Sequence, residues 1–157
     1  MPRTEAVIAA LAARGCQIPQ SPKPGGSYDP VRIVGGFGSV AIQFPVVDGR
    51  VPHGGRLGAE VSTEQGVEAA AACALNVLAQ LHEHVGLERV AGLLHVQAPM
   101  QVSPGWTQLP AVLDGASRMF LEALGEAGRH SRSLMGVEYL PLNAPVALIV
   151  TFGVVSV

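Results

Sequence analysis

The hydrophobic pattern changes period several times along the chain, and each change marks an element. Val7, Ile8 and Leu11 recur at helical spacing within residues 5–14, with Thr4 placed to cap the first turn and Gly15 to stop the last. That spacing predicts a short peripheral helix. Residues 19–30 (PQSPKPGGSYDP) are too rich in proline and glycine for any regular element and read as an extended connection. β-Branched residues then dominate 31–34 and 38–47, and Gly35-Gly36 between them suggests a hairpin. Residues 48–58 lack periodicity and read as a loop. Ser62-Thr63-Glu64-Gln65 has the capping-box arrangement, and Ala70, Leu75, Leu78 and Leu81 follow at helical spacing over 67–85 until Gly86. Residues 90–98 (VAGLLHVQA) form an apolar run of the kind that needs cover on both faces. Ser103-Pro104 predicts the start of a further helix, with Leu109, Val112, Leu113, Met119, Phe120 and Leu124 inward as far as Gly125. Residues 132–139 and 145–155 read as the last two strands.

The resulting order is a short helix, two strands, helix, strand, helix and two strands. It predicts an α+β or α/β architecture with both long helices packed on one face of one sheet. Residues 1–27 are assigned to an N-terminal helix and Pro/Gly-rich extension, and 28–157 to a single domain, a usual size for one core.

Composition adds a partner to this picture. Charged residues make up 14% of the chain, against about 25% in an ordinary soluble domain, so apolar surface must be covered and oligomerisation is expected. A net charge of -2 and no two adjacent basic residues argue against nucleic-acid binding. Cys16 and Cys73 are far apart with no metal-ligand spacing around them, which predicts reduced thiols. No signal-like segment and no apolar run near about 18 residues is present, so a cytoplasmic protein that does not enter a membrane is expected. No cofactor or metal is expected: His82 and His84 on a helix point about 200° apart, and Gly35-Gly36-Phe37-Gly38 lacks the residues of a phosphate loop. Ser39 and Ser133 have no nucleophile-elbow context.

At Arg132-Ser133, followed by an apolar strand and Leu140-Pro141, the chain resembles the Rid (YjgF-type) superfamily. Gly26-Ser27-Tyr28 is similar to that family's Gly-Pro-Tyr, Ile42-Gln43-Phe44-Pro45 to its Gly-Gln-Ile-Pro, and the helix with Asn76 and Leu78 to its Asn-Leu helix. Gly128-Arg129-His130-Ser131-Arg132-Ser133 and Leu140-Pro141-Leu142-Asn143 resemble a branch with an N-terminal extension. The resemblance implies a chorismate-mutase-like homotrimer with ligand clefts between subunits. It further implies hydrolysis of reactive enamines or imines, with the arginine holding a substrate carboxylate. Counted from Leu140-Pro141, the family's acid falls on Ala147, which can neither give nor take a proton. Its cysteine is Leu134 here, its serine Ala41, and its helix asparagine aligns best with Asp114.

A buried guanidinium is costly without an anion, so Arg132 is the first candidate for holding a small-molecule carboxylate, the alternative being an ion pair with Glu138 or Asp114. Tyr28 could offer a hydroxyl to substrate or simply pack a subunit edge. His130 and Asp114 are the candidates for proton transfer, against a surface histidine and a solvated carboxylate. Ser133 and Glu138 complete the set of candidate binding residues, and His95 reads as a hydrogen-bonded core or interface histidine. Three functions remain open from the sequence: an imine or enamine deaminase, a binding or interaction trimer without turnover, and a biosynthetic enzyme for cyclisation or isomerisation. Ribonuclease activity has no basic surface behind it.

Overall fold

The computed structural model describes residues 1–156. Its elements run α1 (Arg3–Ala13), β1 (Val31–Val34), β2 (Phe37–Gln43), α2 (Thr63–His84), β3 (Val90–Gln101), α3 (Leu109–Leu124), β4 (Ser131–Val137) and β5 (Leu148–Val154), which is the expected α+β order. The five strands form one sheet in the order β1-β2-β5-β3-β4. Only β3 and β4 pair in parallel, because α3 carries the chain back between them. One face of the sheet buries Val40, Leu93, Val96, Leu148, Val150 and Phe152 in a single core with the apolar stripes of α2 and α3. Two glycines permit close approaches, one between α2 and α3 and one between the paired strands β2 and β5. A Cβ at Gly115 would meet Val67 O of α2 at 2.3 Å, and one at Gly38 would meet the Phe152 ring at 2.3 Å.

The capping box at the head of α2 is present in full. Ser62 Oγ accepts from Gln65 N, and Gln65 Oε1 accepts from Ser62 N. Gly86, at φ 84°, ends that segment as expected. The hairpin turns at Gly35-Gly36, with Val34 opposite Phe37.

Among the boundaries that differ from expectation, three have a local reason. α3 begins at Leu109, not after Ser103-Pro104, because Ser103 Oγ donates to Leu57 O and does not cap a turn; Pro110 takes the first-turn position. β2 ends at Gln43 after a bulge, since Pro45 has no N–H for a ladder. α1 has no side-chain cap at Thr4. The Glu88 carboxylate accepts from the backbone N–H of Thr4 at 2.8 Å and of Arg3 at 2.9 Å, capping the helix from a distant turn. α1 also sends Val7 and Leu11 into the common core, so it is part of the same body as the sheet. No helix among the described residues is long and apolar enough to cross a membrane.

Candidate functional site

Arg132 lies near the start of the edge strand β4, on the side facing α3. Its Nη1 donates to Asp114 Oδ1 at 2.7 Å and to Ser117 Oγ at 3.1 Å, and Nη2 reaches Pro110 O at 3.4 Å. Asp114, Ser117 and Arg118 share one helix face because they are three and four residues apart. A guanidinium has five N–H donors, and among the described residues Nε–H has no partner. Nε–H and one of the two Nη2 hydrogens are therefore left without a partner, on a side chain that is 28% exposed. Asp114 also lies 3.8 Å from Arg118, so two cations around one anion leave this corner positive.

His130 joins the same network. Its Nδ1 is 2.7 Å from Gly128 O, and since a carbonyl only accepts, Nδ1 carries the proton. Nε2 is 2.9 Å from Ser117 Oγ, so in the neutral ring the serine hydroxyl donates to Nε2. Phe120 meets the imidazole edge-on at 5.9 Å between centroids. The chain can pass this close because position 128 is glycine: a Cβ there would lie 2.2 Å from Phe120 O. Arg132, Asp114 and His130 are thus together, and Ser117, which the sequence reading missed, links them.

The other candidates lie elsewhere. Ser133 faces the opposite side of β4, where its Oγ is 3.1 Å from His95 Nε2. His95 Nδ1 in turn contacts Ser131 Oγ, whose proton goes to Leu94 O. Glu138, beyond the end of β4, is almost fully exposed and 3.7 Å from Arg56. Ala147 is buried, its N–H donating to Pro99 O.

Tyr28 stands at another corner altogether. Arg132, Val96, Val150, Val40 and Val31 are successive cross-strand partners, so Val31 is four strand spacings, about 19 Å, from Arg132, and Tyr28 lies beyond it. The half-exposed Tyr28 ring walls a slot of about 350 Å³ between the Pro22–Gly25 strap and the end of β2. Its hydroxyl accepts from Gly25 N at 3.0 Å and keeps its proton to donate. Two buried amides underlie the slot: Gln80 Nε2 donates to Pro22 O at 2.7 Å and to Gln43 Oε1 at 3.3 Å, while Gln80 Oε1 has no partner. Leu142 lines the slot with φ 64°, unusual for a side chain of this shape. Gln101 braces that turn, donating to Asn143 Oδ1 and accepting from Leu140 N, both at 2.8 Å. The slot contains no carboxylate, and Lys23 sits at its rim. Sequence alone offered only the Leu140-Pro141-Leu142-Asn143 motif as a signal for this bracing. No group of three or more metal-ligating side chains occurs among the described residues.

The chain matches, over residues 8–154, the family described as "YjgF/chorismate_mutase-like, putative endoribonuclease". It is 34% identical over 142 residues to Protein TCP17 of Trypanosoma cruzi, covering 89% of each chain. Among solved structures, it superposes with TM-score 0.90 on a "putative endoribonuclease" of Shewanella oneidensis, at 32% identity over 94% of this chain and 99% of that one. Atu1372 of Agrobacterium tumefaciens gives TM-score 0.89 at 27% identity, over 97% of this chain and 94% of the other.

Proposed function

The chain belongs to the YjgF/chorismate-mutase-like family, and on that premise we propose that Arg132 binds a small carboxylated metabolite in a cleft completed by a second copy within a homotrimer. The observation that carries this reading is the open Nε/Nη2 edge of Arg132. Asp114 and Ser117 already fix the plane of the guanidinium, so a carboxylate meets a preorganised bidentate fork without further ordering cost. The local excess of positive charge survives the Asp114 pair because Arg118 shares it.

One small metabolite cannot touch Arg132 and Tyr28 of the same chain across about 19 Å of sheet. In the proposed assembly a neighbouring copy brings its Tyr28 slot to Arg132, and the interface covers exposed apolar groups such as Val34, Phe37 and Leu94. The reaction is hydrolysis of an imine or enamine. An enamine first takes a proton at its β-carbon to become the imine; water then adds to the carbon bound to nitrogen, the C–N bond breaks, and a keto acid and ammonia leave. His130 takes part in proton transfer through Ser117 Oγ, since both of its ring nitrogens are already engaged; Asp114 borders the same space.

Enamine generated from serine by a dehydratase tests the reaction. Wild-type protein accelerates ammonia release and Arg132→Ala does not; equal rates with and without protein overturn the catalytic part. Mixing Arg132→Ala with Tyr28→Ala chains tests the shared cleft, because a co-assembled trimer regains some intact sites. A second reading, a binding trimer without turnover, is favoured by Ala147, a buried methyl where the resemblance places an acid. Calorimetric binding of 2-oxo acids without turnover selects it.

A further inference from the structure

We propose that Ser117 is a positioning residue that couples carboxylate binding at Arg132 to the protonation of His130. The inference rests on Arg132 holding an anion and adds what controls it.

The hydrogen bonds fix the argument. Gly128 O can only accept, so His130 Nδ1–H is committed there at 2.7 Å. With the ring neutral, Nε2 is an acceptor, and Ser117 must donate its single hydroxyl proton to it at 2.9 Å. The same oxygen accepts from Arg132 Nη1 at 3.1 Å. Every polar capacity of Ser117 that faces this corner is then used. With the ring protonated, Nε2–H donates into Ser117 Oγ, whose two lone pairs now serve Arg132 and His130. The hydroxyl proton is released and turns away from the imidazole, free to donate beside the Arg132 guanidinium. One protonation therefore adds a positive charge and a third donor to the place where the anion binds. By linkage, the bound anion favours protonated His130 to the same extent.

Other charges around His130 do not provide this coupling. Asp114 is held between Arg132 and Arg118, and Glu126 pairs with Arg129 at 3.3 Å on the exposed approach to β4. The Phe120 ring covers one side of the imidazole. Ser117 is the direct bridge between the two cationic side chains.

The test uses the intact chain with pyruvate as the carboxylate probe. NMR follows the His130 ring titration with and without pyruvate, and calorimetry measures pyruvate affinity at one pH below and one above the midpoint that NMR finds. Wild-type affinity is expected to be about tenfold higher at the lower pH, within the usual range of coupling between two sites. Pyruvate is expected to raise the His130 midpoint correspondingly. In Ser117→Ala the ratio of affinities at the two pH values and the midpoint change both fall well below wild type, whatever the absolute affinity, and Ser117→Thr, which keeps a hydroxyl, restores both. Pyruvate binding that depends on Arg132 but leaves the His130 midpoint unmoved overturns the coupling and spares the carboxylate reading. Binding indifferent to Arg132→Ala, or no binding at either pH, overturns the carboxylate reading and the coupling with it.

Discussion

At the Arg132 corner, four side chains and two carbonyls hold one another in place; at the Tyr28 corner, a proline-rich strap and a turned-out Leu142 enclose a slot over two amides. The first corner is charged, and its geometry is over-determined by hydrogen bonds. The second is shaped mainly by backbone, with prolines that cannot donate and a turn braced by Gln101. The difference teaches a division of labour: charge recognition needs fixed donors, whereas shape recognition needs only walls. The two corners lie at opposite edges of one sheet.

Breaking the charged corner gives the largest expected effect. Arg132→Ala reduces affinity for a 2-oxo acid by about 100-fold, the usual cost of losing one partner of a desolvated charge pair, as read by calorimetry. Arg132→Lys recovers little of it, since an ammonium cannot replace the fork. An affinity within twofold of wild type would remove the distinction between the corners.

Gly128→Ala attacks the same corner through packing. Its Cβ collides with Phe120 O, so a loss of about 2–3 kcal/mol in denaturant unfolding is expected, with His130 displaced. Tyr28→Ala sharpens the comparison from the other side. Because the ring is half-exposed, unfolding stability stays nearly unchanged, while affinity falls by about 1 kcal/mol; Tyr28→Phe separates the ring from the hydroxyl.

The smallest effect lies outside both corners, at Glu88. Bonds from the backbone N–H of Thr4, then of Arg3, hold its carboxyl below the ordinary carboxylate range. A depressed folded-state pKa stabilises above the unfolded value and is lost as pH falls through the folded one. Protection of the Arg3 and Thr4 amides, relative to their intrinsic exchange rates, is therefore expected to fall only in acid, and Glu88→Gln to remove that pH dependence. Ligand binding at either corner should not follow it.

Much of the fold was legible because local chemistry decides it. The Ser62/Gln65 box, the Gly35-Gly36 turn and the Gly86 stop depend on neighbours within a few residues, and all three appear where expected. Ser103-Pro104 misled for the complementary reason: its hydroxyl was taken by Leu57 O, forty-six residues away in the chain, which no local rule can foresee. Cys73 is fully buried in α2, and that burial pushes its thiol well above the ordinary range.

The sequence by itself determined the elements, the apolar stripes and the type of chemistry at Arg132, because periodicity, caps and side-chain charge are properties of short stretches. Only the tertiary structure decided which neighbours that charge would have. Packing α3 against β4 set Asp114 and Ser117 on the guanidinium, left its Nε edge open, and brought His130 to the same hydroxyl. The same sheet order carried Tyr28 to the far edge. Such contacts depend on the relative placement of distant segments, which is fixed only when the whole core closes.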